Sequence, residues 1–347
     1  MKKFLIWSGI AAFVVGGTSV NPMPYPQNAI AEIPQSVFPY LSQQSNKVNL
    51  QNHRLSFVED DREEQNKNSS KMILRQRSQP SEIQAIKIPI FSFHNVIDTA
   101  NPMEMRRYQN SSNTDYTNTK QDITKFLEYL VRNNYWLLSS QELYDYFLTK
   151  SRPIPQSKRS HRPIMLTFDD GYKGVHTHLF PLMKAIKNKS GKSIKIVWFI
   201  NPRSMGSLGS ETSLPHVSCE ELIEGFKQGF YDIQSHGFSH LELTKINPQQ
   251  LRFELSEAQQ ALRRCTQDLN SSQTVASHIA YPYGSFNARV KTYSSQYYLS
   301  GYSFENQTLN ANKFTSKYQL PRLNIKKQTS LNQMIQMAES SSLLKTK

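Results

Sequence analysis

Beyond residue 85 the apolar positions of this chain recur in two alternating rhythms; before it they scarcely recur at all. Ile86-Lys87-Ile88-Pro89-Ile90-Phe91-Ser92-Phe93 is the first strand-like run, rich in β-branched and aromatic side chains. Behind Thr119, a helix cap, Ile123, Phe126, Leu127, Leu130 and Val131 return at helical spacing. Tyr135-Trp136-Leu137-Leu138 then reads as a strand, and Ser139-Ser140-Gln141-Glu142 as a capping box opening a helix to about Thr149. The same alternation predicts strands over 164–168, 194–200, 230–234, 278–281, 299–304 and 320–325. Helices are predicted over about 178–189, behind Ser218-x-x-Glu221, and from Asn247-Pro248 to Asp268. Some eight alternations imply parallel strands joined by crossover helices. The expected fold is α/β, an incomplete (β/α) barrel with about seven or eight parallel strands. Catalytic residues of such barrels sit at the C-terminal ends of strands, which gives a filter for the polar residues.

The N-terminus has a different character. Lys2-Lys3 precedes an apolar run from Phe4 to Val15, the length of a signal-peptide core and short for a membrane span. Ala29-Ile30-Ala31 offers a small-x-small cleavage site, so residues 1–31 read as a signal peptide or an uncleaved anchor. Either way the protein is expected to be exported, secreted or attached to the cell surface. Residues 32–85 are rich in Gln, Asn, Ser and Pro with an acidic cluster around Glu59-Asp60-Asp61, a disordered-linker composition. Residues 86–347 remain as one barrel-sized domain.

Composition narrows the class further. With 37% hydrophobic and 20% charged residues the chain is neither collagen-like nor wholly disordered. Cys219 and Cys265 can pair once at most and cannot build a disulfide framework or a four-thiolate zinc site. The net charge is +14, of which residues 1–86, with nine basic and seven acidic residues, hold only +2. A basic domain suits an anionic surface such as a cell wall. Nucleic acid is not expected as a partner, because base-reading motifs and zinc-finger spacings are missing.

Four clusters pass the strand-end filter. Leu166-Thr167-Phe168-Asp169-Asp170-Gly171 sets two adjacent carboxylates at the end of a strand. Most Asp-Asp-Gly triplets are turns, but a metal ion would let both carboxylates ionise and leave one free as a base. Ser235-His236-Gly237-Phe238-Ser239-His240 spaces two histidines four apart, as on one face of a helical turn. With Asp170 they form a two-histidine, one-carboxylate set of the kind that binds zinc and leaves positions open. Tyr281-Pro282-Tyr283-Gly284 imposes a bend that can present a backbone N–H to an oxyanion. His94, behind Phe91-Ser92-Phe93, can act as a proton donor near neutral pH. The other histidines read as surface or structural: His53 and His161 in polar segments, His176, His178 and His216 in or near loops, His278 inside a strand.

In these motifs the chain resembles the polysaccharide deacetylases of carbohydrate esterase family four, the NodB-homology group, over about residues 86–337. The resemblance implies Asp169 as general base, Asp170, His236 and His240 as ligands of one divalent ion, zinc by preference, and the Tyr283 N–H as oxyanion donor. Two features depart from the family: Ala280 stands where an Arg is usual, and the late Leu-x-His is reduced to Leu323-Asn324-Ile325. Phe93-His94 and Leu320-Pro321-Arg322 are instead similar to the permuted poly-N-acetylglucosamine deacetylases. That likeness implies His94 as the acid and Arg322 as the group orienting Asp169.

The resulting expectation is a metal-dependent hydrolase of linear amide bonds that removes acetyl groups from N-acetylglucosamine units of an extracellular polysaccharide. Chitin, peptidoglycan or acetylated xylan are the alternative substrates, and a catalytically silent glycan-binding protein is the alternative of another class.

Overall fold

Pro89 divides the first apolar run into two strands. Without an amide hydrogen it cannot donate to a ladder. Strand β1 (Lys87–Ile88) turns aside to pair antiparallel with residues 309–310, and β2 (Ile90–Phe93) enters the main sheet. The computed structural model describes residues 85–111, 114–210, 212–267 and 269–344. The N-terminal segment, the linker up to residue 84, His53 and Asp268 lie outside the described residues.

A small parallel pair, β3 (Asn95–Ile97) with β4 (Thr117–Thr119), follows β2. Next come β5 (Tyr135–Leu137), β6 (Arg162–Phe168), β7 (Ile196–Ile200), β8 (Tyr231–Ser235), β9 (His278–Ala280) and β10 (Ser300–Tyr302). The chain ends with β11 (Leu309–Asn310), the partner of β1, and β12 (Leu323–Asn324). The main sheet runs β10-β9-β8-β7-β6-β2-β12, all parallel, and β5 lines the start of β6 on the edge whose end pairs with β7. The segment leading into β12 reaches back to the far edge: Tyr302 and Leu320 form a parallel bridge, and the Ser303 N–H donates to Leu320 O at 2.8 Å. The sheet is therefore curled into an incomplete (β/α) barrel of eight parallel strands.

Strand alternation sorts the core into two layers. Val197 and Phe199 pack inward with Met165, Ala280, Tyr302 and Leu320. Ile196, Trp198 and Ile200 face outward beneath helices Lys120–Arg132 and Lys173–Ser190, against Leu127, Leu179 and Met183. Both faces are buried, so these strands read as continuous apolar runs rather than alternating ones.

Several sequence expectations shift. Helix Lys173–Ser190 begins five residues earlier than expected, which places His176 and His178 on the helix and not in loops. Helix Pro248–Cys265 stops at Thr266, short of Asp268, and the last two strands shrink to three and two residues. Helices Pro102–Asn110, Ala288–Ser294 and Leu331–Glu339 have no counterpart in the sequence reading. The first buries none of its residues and so carries no apolar stripe; it forms because Asn101 caps it and Pro102 opens it. Cys219 and Cys265 are joined by a disulfide, linking the start of helix Cys219–Lys227 to the end of Pro248–Cys265.

Candidate functional site

The C-terminal strand ends converge on one pocket of 250 Å³, lined by His94 after β2, Asp169 and Asp170 after β6, His236 after β8, and Tyr283 after β9. Each is held by local backbone logic. The Asp169 N–H donates to Phe93 O at 2.9 Å, which extends the β2–β6 ladder one step and fixes where the carboxylate leaves the strand. Asp170 and Gly171 then both take left-handed conformations, φ +69° and +79°, turning the chain away from the sheet. Asp tolerates this conformation better than bulky residues do.

Asp169 is fully buried, and the guanidinium of Arg322 faces it with two bonds of 2.8 Å, one to each carboxylate oxygen. Arg322, just before β12, lies two strands away across β2. Burial alone would raise the Asp169 carboxyl, but Arg322, His236 and His94 outweigh it and hold it below the usual carboxylate range.

The Oδ1 of Asp170 lies 3.4 Å from His236 Nε2 and 3.2 Å from His240 Nε2. The donor atoms of the three residues all fall within 4.8 Å of one another. The Nδ1 of His236 donates to Ala280 O at 2.8 Å, which turns its Nε2 toward Asp170. That Asp170 oxygen is buried without a hydrogen-bond partner. A buried orphan carboxylate oxygen beside two imidazole nitrogens fits a divalent ion. Burial would raise the Asp170 carboxyl, yet the adjacent imidazoles of His236 and His240 hold it well below its ordinary range. The Asp170 carboxylate in turn raises His240 against the opposing effect of that residue's own burial.

The two histidines do not share a helical face as their spacing suggested. They bracket an irregular turn in which Gly237 and His240 adopt φ +73° and +61°. Two buried residues brace that turn. Asn201, after β7, donates through Nδ2 to the carbonyls of His236 and Gly237. Glu254, on helix Pro248–Cys265 and only 2% exposed, accepts from the Ser239 N–H at 2.9 Å and from its hydroxyl. Sequence reasoning missed both, although a glutamate in the Leu251, Leu255, Ala258 stripe is an acid at a core position, and that was a readable signal.

His94 stacks on Tyr116 at 4.6 Å and lies 5.7 Å from Phe304, with its Nδ1 buried and unbonded. Burial lowers its pKa, opposed by the charges of Asp170 and Asp169. Tyr283 is left-handed at φ 59°, and its exposed ring lies 4.6 Å from that of His240. Gly284, also left-handed, packs so closely on Phe304 that a Cβ there would lie 2.4 Å from the Phe304 Cβ. Glycine is therefore required to seat the bend.

The remaining described histidines do not line this pocket. His178 pairs with Glu104 at 2.8 Å, His176 with the Tyr231 hydroxyl at 3.0 Å, and His278 with Ser300 at 2.8 Å. His216 stacks on Tyr172 at 5.0 Å, and burial is what lowers the pKa of His161.

Residues 156–319 match the family model described as polysaccharide deacetylase. The chain is 26% identical over 201 residues to YxkH of Bacillus subtilis (strain 168), which carries a provisional polysaccharide deacetylase name; the match covers 58% of each protein. It is 26% identical over 226 residues to a poly-beta-1,6-N-acetyl-D-glucosamine N-deacetylase of Staphylococcus aureus (strain MRSA252), covering 54% of this chain and 71% of that one. The solved structure of IcaB from Ammonifex degensii superposes with a TM-score of 0.54 at 18% identity, covering 74% of this chain and 98% of that chain, a likeness of fold. Residues 156–319 thus match a polysaccharide deacetylase domain.

Proposed function

We propose that this polysaccharide deacetylase domain is a metal-dependent N-deacetylase that removes acetyl groups from N-acetylglucosamine units of an exported polysaccharide. The observation that carries the reading is the division of labour between adjacent carboxylates. Asp169 is held by Arg322 and Asp170 by two imidazoles, inside one pocket that also contains His94.

Asp170, His236 and His240 would hold one divalent ion, zinc by its preference for imidazole and carboxylate, and when bound it supplies Lewis acidity toward the acetamide carbonyl and the attacking water. Asp169 accepts the proton of that water. Arg322 keeps Asp169 ionised and fixes both of its oxygens, so that the carboxylate does not rotate away from its task. The Tyr283 N–H, at the left-handed bend, donates to the developing oxyanion. His94 protonates the departing amine, and its packing on Tyr116 keeps bulk water from its ring.

Among the described residues no helix is long and apolar enough to cross a membrane. From their sequence, Lys2-Lys3 followed by the apolar run Phe4 to Val15, residues 1–31 act as export signal or anchor, and the basic charge of the domain holds it near an anionic cell-wall surface. The test is acetate release from defined N-acetylglucosamine oligomers by the zinc-loaded protein, with metal content measured in parallel. His236→Ala should lose both metal and turnover. Full metal content with full turnover in that variant would remove the site assignment.

A further inference from the structure

A second, larger cleft of 410 Å³ adjoins the catalytic pocket and shares Asp170 and His240 with it. Its walls include the stacked pair Tyr172 and His216, and Arg203. The Arg203 backbone N–H donates to Phe238 O at 3.1 Å, so this residue is tied to the same turn that presents His240. Its side chain is exposed, and among the described residues no carboxylate lies within ion-pair distance of its guanidinium. Lys173, next to Tyr172 in the chain, is by contrast matched by Glu221 at 2.8 Å. The Asp170 carboxylate at the cleft's edge is committed to the two imidazoles. Among the described residues, Arg203 is therefore the cation of this wall that no carboxylate pairs.

A polymer cannot end in the catalytic pocket, and its next unit must lie against an adjoining surface. We propose that this cleft is the subsite for the sugar neighbouring the one deacetylated, and that Arg203 makes it read that sugar's charge. The inference rests on the deacetylase reading and deepens it. Deacetylation converts a neutral acetamide into an amine that is protonated near neutral pH. A neighbour that still carries its acetyl group meets no electrostatic penalty beside Arg203; one already deacetylated meets a like charge. The enzyme then avoids units beside its own products, and the product carries dispersed rather than blockwise free amines.

The experiment compares kcat/KM of the zinc-loaded protein on a fully acetylated oligomer and on two isomers bearing one glucosamine, on either side of the target unit. The expected result is a preference of about tenfold for the fully acetylated oligomer over one of the isomers, the size that repulsion between partly solvated unit charges produces. Arg203→Gln should reduce that ratio to about twofold, and Arg203→Glu should invert it. Substitution of an exposed side chain leaves the fold intact, which circular dichroism checks. Equal wild-type rates on all three oligomers, or an unchanged ratio in folded Arg203→Glu, would overturn the inference. No acetate from any oligomer would instead overturn the deacetylase reading, and this inference with it.

Discussion

Arg322 grips Asp169 across 153 residues of chain with two N–H···O bonds of 2.8 Å, and neither side chain is more than 1% exposed. The rest of the guanidinium is also engaged: Nε donates to Ser303 O at 3.1 Å, Nη1 to Thr167 Oγ1 at 3.1 Å, and the group lies over the Phe304 ring at 4.8 Å. A lysine could keep the charge but not the planar fork.

Arg322→Lys is therefore expected to keep its metal and lose turnover by about 10²-fold, the scale of a misplaced base. Arg322→Ala should also be destabilised by about 3–5 kcal/mol, because it strands a buried carboxylate. Metal content, steady-state kinetics and denaturant titration give the three readings. Turnover of Arg322→Lys within twofold of wild type would show that orientation of Asp169 is not needed.

His94→Ala and Asp169→Asn should differ by leaving group. An amine departs poorly unless protonated, whereas the phenoxide of an activated acetate ester needs little help. His94→Ala should lose about 10²–10⁴ in rate on the sugar amide and far less on the ester. Asp169→Asn should be impaired on both, since water must be activated in either case. A wild-type rate of His94→Ala on the amide would leave the reaction without its proton donor.

Glu254 touches none of the proposed ligands, yet it holds the turn between them through Ser239. Glu254→Ala is expected to weaken zinc binding by about 10–100-fold, the usual cost of losing a partner that orients a ligand, with Glu254→Gln retaining part of it. Competition with a chromogenic chelator measures this directly. Equal affinities in wild type and a folded Glu254→Ala would reduce the residue to a packing role.

His278 gives a pH dependence of stability that is separate from catalysis. Burial lowers its pKa from 6.5 to about 3, aided by the charge of Lys317. Below pH 6.5 the unfolded chain binds a proton that the folded one refuses, so stability is full above that pH and falls as the pH drops toward 3. The slope for one such group is about 1.4 kcal/mol per pH unit. Denaturant midpoints from pH 7 to pH 4 should show it, and His278→Gln should flatten it. Parallel curves for the two proteins would place the acid sensitivity elsewhere.

The alternation of strands and helices was readable because the parallel strands are buried on both faces and bounded by capped helices. The strand-end filter then brought Asp169, Asp170, His236, His240, His94 and Tyr283 to notice, and all six line one pocket. The pattern was less informative where one spacing serves two geometries: histidines four apart suit a helical face, and here they bracket a turn bent by two left-handed residues. It was silent where structure rests on local polar bonds, as in helix Pro102–Asn110 with no buried residue. It could not place Asn201 or Glu254 either, since their partners lie 35 to 36 and 15 residues away and only the folded chain brings them together.

The disulfide between Cys219 and Cys265 has a topological consequence. It closes the intervening chain into a covalent ring, and both histidines of the proposed metal site lie on that ring together with Glu254. A protease that cuts once within the ring leaves two fragments still joined, so the ligands are not separated from one another. A single nick there would surface only after reduction, as two bands where the unreduced chain runs as one.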